Sequence, residues 1–279
     1  MSIMSHLLGS DGLLIRDSGI WAKDKLYYLD RYLHIFSVGM QNKWKGKLYY
    51  VDLFSGPGLC LIPETKEEFD GSPLIALKYN FAKYFFFESD PDCFRALRSR
   101  IEIRAPDKLS CIELIEGDCN TGIDKITFPV SNSLGTAFID PTGIAPLPFK
   151  TIEQLTIGRQ LDLIINFHEG MGIRMNLHQY TTTDENALMS FLSSDRWKKQ
   201  IQSKPLSFDE TCRMIAKEYL ENLERLGYLA FDSEKIPIKA KRDTLLYYLL
   251  FASKHPRGAE FWHKIKLIDS HGQRQFPGF

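Results

Sequence analysis

No stretch of this chain is apolar for long enough to cross a bilayer, which takes about 20 residues. The opening Met1-Ser2-Ile3-Met4-Ser5-His6 has neither the basic nor the long apolar segment of a secretory signal. A soluble, cytoplasmic protein without a membrane partner is expected. Net charge is missing too, since 35 Lys and Arg balance 35 Asp and Glu. Any argument for a polyanionic partner must therefore be local. Cysteine is sparse. Cys60, Cys93, Cys111, Cys119 and Cys212 are odd in number, scattered, and form no C-x-x-C pair. That disfavours a disulfide framework and a zinc site, and no metal is expected. The thiols read as small hydrophobes, with Cys60 and Cys119 near enough to the motifs below to line a pocket. No repeat or low-complexity segment occurs.

What is present is apolar material, 44% of 279 residues. That suits one enlarged α/β domain, or one domain with a small appendage. The most informative stretch is Tyr49-Tyr50-Val51-Asp52-Leu53-Phe54-Ser55-Gly56-Pro57-Gly58. It reads as a strand covered on both faces, followed by a sharp turn. Gly56 and Gly58 permit close approach of a ligand to the backbone.

Before it, Ala22, Leu26, Leu29, Leu33, Phe36, Met40 and Trp44 recur at helical spacing. Asp17 or Ser18 would cap this helix and Gly46 end it. Lys43, Lys45 and Lys47 either complement its dipole or form a basic edge beside the glycine turn. After the turn comes a long loop over 57–71, read as a candidate lid. Ser72-Pro73 then starts a helix running to about Phe81.

Further strands are read at 84–88, 111–116, 136–139 and 161–167, with helices between them at 91–103 and 149–157. Asp90 caps the first of these helices, and Asn120 a shorter one. Ser207-Phe208-Asp209-Glu210 is a capping box. It opens a helix marked by Phe208, Cys212, Ile215, Tyr219, Leu223 and Leu226. Strand-like 236–239 and 244–253 suggest an antiparallel pair at the sheet edge. Alternating strands and helices imply an α/β, Rossmann-like, mostly parallel sheet with helices on both faces. The expected organisation is an N-terminal helical segment (1–46), a core (47–167 and 207–279) and a helical insertion (168–206).

Ligands of such sheets sit outside the carboxyl ends of the strands. Four strand ends here carry polar or glycine-rich groups: Ser55–Gly58, Glu88, Asp118–Asn120 and Asp140–Gly143. Glu88 is placed to accept hydrogen bonds from a ribose diol, at about 1.5–3 kcal/mol for a charged bond. Asp118 and Asn120 suit an adenine. Asp140 marks the second-substrate side. A dinucleotide site expects G-x-G-x-x-G directly before a helix. Here no third glycine follows Gly58, and the helix starts only at Ser72. S-adenosylmethionine fits better, with Asp52 receiving its amine and turn amides its carboxylate. The candidate cofactor residues are Asp52, Phe54, Ser55, Gly56, Pro57, Gly58, Glu88, Ser89, Asp118, Cys119 and Asn120.

These motifs, in this order, resemble those of class I S-adenosylmethionine-dependent methyltransferases. More closely, the chain resembles the three-Cys-motif partner protein (TcmP) family of bacteria and phages. The likeness runs from Tyr28–Leu33 and Lys43-Trp44 through Tyr50–Gly58, Gly71–Leu77 and Phe86–Asp90. It continues over Gly117–Asn120, Phe138–Gly143, Asp162–Phe167 and Tyr247–Lys254, to Gly258 and Phe261-Trp262. It implies a class I methyltransferase fold, S-adenosylmethionine as cofactor, and a three-Cys-motif, radical-enzyme-like partner.

Asp140-Pro141 is similar to the start of the Asp-Pro-Pro-Tyr motif of adenine amino-methyltransferases. There the acid and a backbone carbonyl hold the amine while the aromatic stacks on the base. Asp140, Pro141 and Thr142 are accordingly the catalytic candidates. Thr142 and Gly143 replace the last two motif positions, leaving Phe149 or Phe167 as substitutes for stacking, or as core. The Pro-Cys of cytosine C5-methyltransferases is absent.

Within 234–266, Lys235, Lys239, Lys241, Arg242, Lys254, Arg257, Lys264 and Lys266 face only Glu234, Asp243 and Glu260. With Phe261 and Trp262 close by, this reads as a DNA- or RNA-binding surface, or as a solvated face over core aromatics. Arg174, Lys254 and Arg257 are the candidate substrate contacts. Arg174 has a salt bridge as its plain alternative, and His168 a packed imidazole. Three readings stay open: a methyltransferase acting on nucleic acid, at a base amine for instance; a non-catalytic binding partner; and another nucleotide-using enzyme such as a nuclease.

Overall fold

A computed structural model describes residues 7–128, 132–183, 185–203, 206–230, 235–240, 244–270 and 272–273. The chain divides into two compact units, Met1–Phe138 with Leu267–Phe279, and Ile139–Lys266. Glu234, Lys241, Arg242 and Asp243 of the expected basic surface lie outside the described residues.

In the first unit, β1 (Arg16–Asp17) precedes α1 (Trp21–Met40) and β2 (Leu48–Asp52). Leu26, Leu29, Leu33, Phe36 and Met40 are buried as their spacing predicts. The ends of α1 differ from expectation. Ile20 is its N-cap, without a side-chain bond, because Ser18 donates its N–H to Leu61 O instead. The helix stops at Met40, and 41–46 are turns in which Lys45 (φ 50°) and Gly46 (φ 74°) are left-handed. Trp44 therefore lies beyond the helical stripe.

The loop expected over 57–71 is a hairpin. Strands β3 (Leu59–Ile62) and β4 (Glu67–Asp70) pair antiparallel, and β1 joins β3 in parallel. The acidic run that looked like loop is held by partners. Glu67 pairs with Lys23, Ser10 donates to Glu68, and Asp70 meets Arg104 and Lys78. A paired hairpin lacks the freedom of a lid. It leads into α2 (Ser72–Ala76), shorter than expected, with Gly71 rather than Ser72 at the N-cap.

Next come β5 (Lys83–Glu88), α3 (Pro91–Arg104), β6 (Ile112–Glu116), α4 (Cys119–Gly122) and β7 (Leu134–Ile139). Strand β2 is parallel to both β5 and β7, and β5 is parallel to β6. All five residues of β2 are buried, which is why it reads as an unbroken apolar run. Tyr50, Phe81, Tyr84 and Phe86 form a contiguous ring cluster beside it. Asp90 caps α3 as expected, accepting from Asp92 N–H and Cys93 N–H. At α4 the cap is Asp118, not Asn120.

In the second unit, α5 (Phe149–Thr156) and β8 (Leu161–Phe167) precede a helical stretch. It comprises a π turn (Glu169–Ile173), a 3-10 turn (Arg174–Asn176), α6 (Leu177–Thr182), α7 (Ala187–Leu192) and α8 (Arg196–Ser203). Helix α9 (Phe208–Arg225) opens on the predicted capping box. Strands β9 (Leu229–Ala230), β10 (Ile236–Lys239) and β11 (Leu245–Ser253) follow, then α10 (Pro256–Lys266), which no sequence signal marked. Strand β11 is antiparallel to both β8 and β10, so β10 forms the edge. Phe149, Phe167, Phe191 and Tyr219 make the aromatic core here. Phe149 and Phe167 are thus core residues rather than base-stacking surfaces.

In the first unit β6, β5, β2 and β7 lie side by side in parallel, and in the second β8, β11 and β10 are joined antiparallel. The architecture is α/β, with the expected antiparallel strands at the carboxyl-terminal end. No helix among the described residues is long and apolar enough to cross a membrane.

Candidate functional site

The glycine turn is built by backbone geometry. Gly56 (φ 64°) and Gly58 (φ 91°) are left-handed, a conformation that opposes any side chain. A Cβ on Gly58 would come within 3.0 Å of Leu97 Cδ1. Gly71 donates its N–H to Gly58 O at 2.7 Å, and a Cβ on Gly71 would lie 2.9 Å from that oxygen. Two strand segments meet there with no room for a methyl group.

Glu88 ends β5 and is 7% exposed. Its Oε2 accepts Gly56 N–H at 2.7 Å and its Oε1 accepts Asp90 N–H at 2.8 Å. The carboxylate thus links the turn to the next strand end. Each oxygen retains a lone pair, so the group still has acceptor capacity for a diol. Asp52 is fully buried. Its Oδ2 accepts from Tyr50 OH at 3.3 Å and its Oδ1 from Phe54 N–H at 3.2 Å. This arrangement holds the turn from within.

Two arginines complete the surroundings, and sequence inspection flagged neither. Arg100, on α3, is 1% exposed. It pairs with Asp11 at 2.7 and 2.9 Å and donates to the carbonyls of Leu13, Leu14 and Pro57. It thereby fastens residues 11–14 to the glycine turn. Arg16, half-buried on β1, packs its guanidinium on Gly56; a Cβ there would meet Arg16 Cζ at 3.3 Å. Arg16 stands alone in its segment and Arg100 is one of four arginines on α3, so only the three-dimensional contact singles either out.

At the following strand end, Asp118 accepts Asn120 N–H at 2.9 Å. Asp118 is exposed, Asn120 half-buried and Cys119 buried. Burial, helped by Asp118, pushes the Cys119 thiol up to about 12. Burial and the nearby Glu88 do the same to Cys93, also to about 12. These are inert thiols at neutral pH. Ser89 is exposed and Phe54 half-buried.

In the second unit, Asn166 Nδ2–H donates to Asp140 Oδ1 at 2.6 Å. Asn166 is 2% exposed, and its own Oδ1 has no partner among the described residues. His168, 7% exposed, is within 2.8 Å of the Pro141 carbonyl through Nε2. A protonated Nε2 makes this a bond from imidazole to carbonyl, so the Pro141 oxygen is already engaged. Thr142 is exposed.

The expected substrate contacts fare differently. Arg174 pairs with Glu169 at 2.9 Å and Asp209 at 2.6 Å, and lies over the Phe208 ring. It is committed to holding helical segments together. Lys254 Nζ lies over Tyr228 and reaches the carbonyls of Thr156 and Arg159 at 3.4 and 3.5 Å, which seats it at the end of α5. Arg257 is exposed on α10. Trp262 is fully buried and stacked on Phe251 at 4.9 Å, so it belongs to the core and not to a binding face.

Lys43, Trp44, Lys45, Lys47 and Asn132 line an open concavity of about 310 Å³. It lies before the amino end of β2, whereas the glycine turn follows the carboxyl end. A five-residue strand is on the order of 15 Å long. The lysines are therefore not an edge of the glycine turn. No metal-ligating cluster occurs among the described residues.

No family model matches this chain, and no curated protein does. Its structure is similar to solved ones at low identity. A Legionella pneumophila protein is 11% identical, with 88% of this chain and 90% of that chain covered, at a TM-score of 0.45. M. jannaschii TYW2, solved in complex with AdoMet, is 11% identical over 77% of this chain and 74% of its own, at 0.37. The Geobacter metallireducens precorrin-6y C5,15-methyltransferase is 13% identical over 78% and 87%, at 0.39.

Proposed function

We propose that this chain is an S-adenosylmethionine-dependent methyltransferase acting on a nucleic-acid base amine. The observation that carries the cofactor assignment is the left-handed turn at Gly56 and Gly58 after β2, with Glu88 tied to the Gly56 amide beside it. A Cβ at Gly58 would press on Leu97 and one at Gly71 on the Gly58 carbonyl, so close packing behind the turn fixes its shape. In this reading Glu88 accepts the ribose hydroxyls, and Asp118 and Asn120 meet the adenine. The cofactor supplies an electrophilic methyl group. The chain's task is then orientation, which alone lowers such a barrier by several kcal/mol.

The amine assignment is supported by Asp140 and Asn166. An exocyclic amine has two N–H donors. Asp140 offers a carboxylate, and the amide it orients has a buried acceptor, Asn166 Oδ1, without a partner among the described residues. A buried acceptor left unbonded costs about 1–3 kcal/mol, and an incoming N–H would recover this. The Pro141 carbonyl, held by His168, is less available than the Asp-Pro-Pro-Tyr likeness implied. The nucleic-acid assignment is proposed from the Asp140-Pro141 likeness; the lysines around Trp44 lie at the opposite end of β2 and do not add to it. The three-Cys-motif partner is proposed from the sequence resemblance alone.

A second reading, a non-catalytic partner protein, is favoured by one observation: Arg174 and the Pro141 carbonyl are both engaged internally. Calorimetric titration with S-adenosylhomocysteine tests the cofactor, and no binding by the wild type would reject it. Labelled methyl transfer to total DNA and RNA then separates enzyme from binder. Glu88→Ala is expected to weaken cofactor binding. Asp140→Ala should retain binding and lose transfer.

A further inference from the structure

Arg100 and Arg16 flank the same turn and differ sharply. The guanidinium of Arg100 is satisfied by one carboxylate and three carbonyls. The guanidinium of Arg16 has no hydrogen bond or ion pair among the described residues, although the residue is half-buried. A guanidinium carries five N–H donors and is seldom drawn from water without an acceptor.

Its placement is not that of a loose surface chain. Arg16 pairs in register with Cys60 on β3, and Ile15 beside it is 3% exposed. Arg100 locks the preceding residues 11–14 to the Pro57 carbonyl. The backbone that carries Arg16 is therefore fixed relative to the turn. The guanidinium rests against Gly56, where a side chain would have displaced it. Glu88 takes the N–H of that same glycine. A cation and an anion thus bracket one peptide unit. Asp52, the acid expected to hold the cofactor's amino-acid end, is sealed inside the strand.

We infer that Arg16 is the group that binds the α-carboxylate of the cofactor's methionine moiety. A planar guanidinium meets a carboxylate through two parallel N–H bonds, and a water-poor turn strengthens such a pair. The inference rests on the cofactor reading above and adds a residue outside the glycine motif.

The test compares two ligands on the full chain by calorimetry. S-adenosylhomocysteine has the carboxylate; 5′-methylthioadenosine keeps the nucleoside and thioether without the amino-acid end. Arg16→Gln should weaken S-adenosylhomocysteine binding about 10- to 100-fold, the range of one charged hydrogen-bonded pair. It should leave methylthioadenosine binding within about twofold, which also shows that the variant is folded. Arg16→Lys should fall between, since a point charge lacks the bidentate fit.

Unchanged S-adenosylhomocysteine affinity in Arg16→Gln overturns the inference. So does an equal loss for both ligands. ADP provides a third arm: if the loss falls on ADP and spares S-adenosylhomocysteine, the cation serves a phosphate and the carboxylate assignment is wrong. A wild type that binds neither adenosine thioether rejects the cofactor reading itself, and this inference with it.

Discussion

Arg100→Met retains the aliphatic stem and removes the guanidinium that joins Asp11, Leu13, Leu14 and Pro57. The buried bond to the Pro57 carbonyl involves a charged donor and contributes about 1.5–3 kcal/mol. The bonds to Leu13 and Leu14 are part-buried and contribute about 0.5–1 kcal/mol each. Asp11 is 32% exposed, so its carboxylate rehydrates after the substitution. Its share is discounted to about 1 kcal/mol. The expected loss is about 3.5–6 kcal/mol, large against a typical total of about 5–15. Equilibrium urea unfolding measures it.

The same pair has a pH signature. The hydrogen bond from Arg100 holds the Asp11 carboxyl below its ordinary value. A depressed folded-state value means stability that is complete above the unfolded carboxylate range, near pH 4. It is lost as pH falls from there through the folded-state value. Arg100→Met should remove this acid-dependent component, and Asp11→Asn in the Arg100→Met background should add little more. A loss below about 1 kcal/mol, or an unchanged acid limb, would refute the claim that Arg100 fastens the turn.

Gly71→Ala should destabilise by about 1–3 kcal/mol, because its Cβ would press on the Gly58 carbonyl 2.9 Å away. S-adenosylhomocysteine binding should fall with it; a neutral effect in both denaturation and titration would mean that the close approach is not needed. Cys119, pushed up to about 12 by burial, should resist iodoacetamide through pH 9. Peptide mass spectrometry after a timed exposure reads this, and rapid labelling at pH 8 would contradict the assigned environment.

Elements whose signal is local were legible in the sequence. Leu161–Phe167 is a strand with the expected bounds, since a doubly buried strand is a continuous apolar run. Asp90 and Ser207 cap their helices as read, because a cap is decided within four residues. The hairpin at 59–70 was illegible for the converse reason. Its charges look like solvated loop until Ser10, Lys23 and Arg104 are brought to them from distant parts of the first unit. Trp262 misled in the other direction. Its basic neighbours suggested a binding face, while the ring itself packs on Phe251.

At the candidate site the same division applies. Gly56, Gly58 and Glu88 announced themselves at strand ends. Arg16, Arg100 and Asn166 did not, because each acts on a group supplied by another element: the Gly56 α-carbon, the Pro57 carbonyl and the Asp140 carboxylate. In the proposed reading the motif supplies backbone contacts to the ligand, and these long-range partners supply its charge complementarity. This is why Arg16→Gln, at a position no motif marks, is expected to discriminate between two ligands. A change within the glycine turn would weaken both.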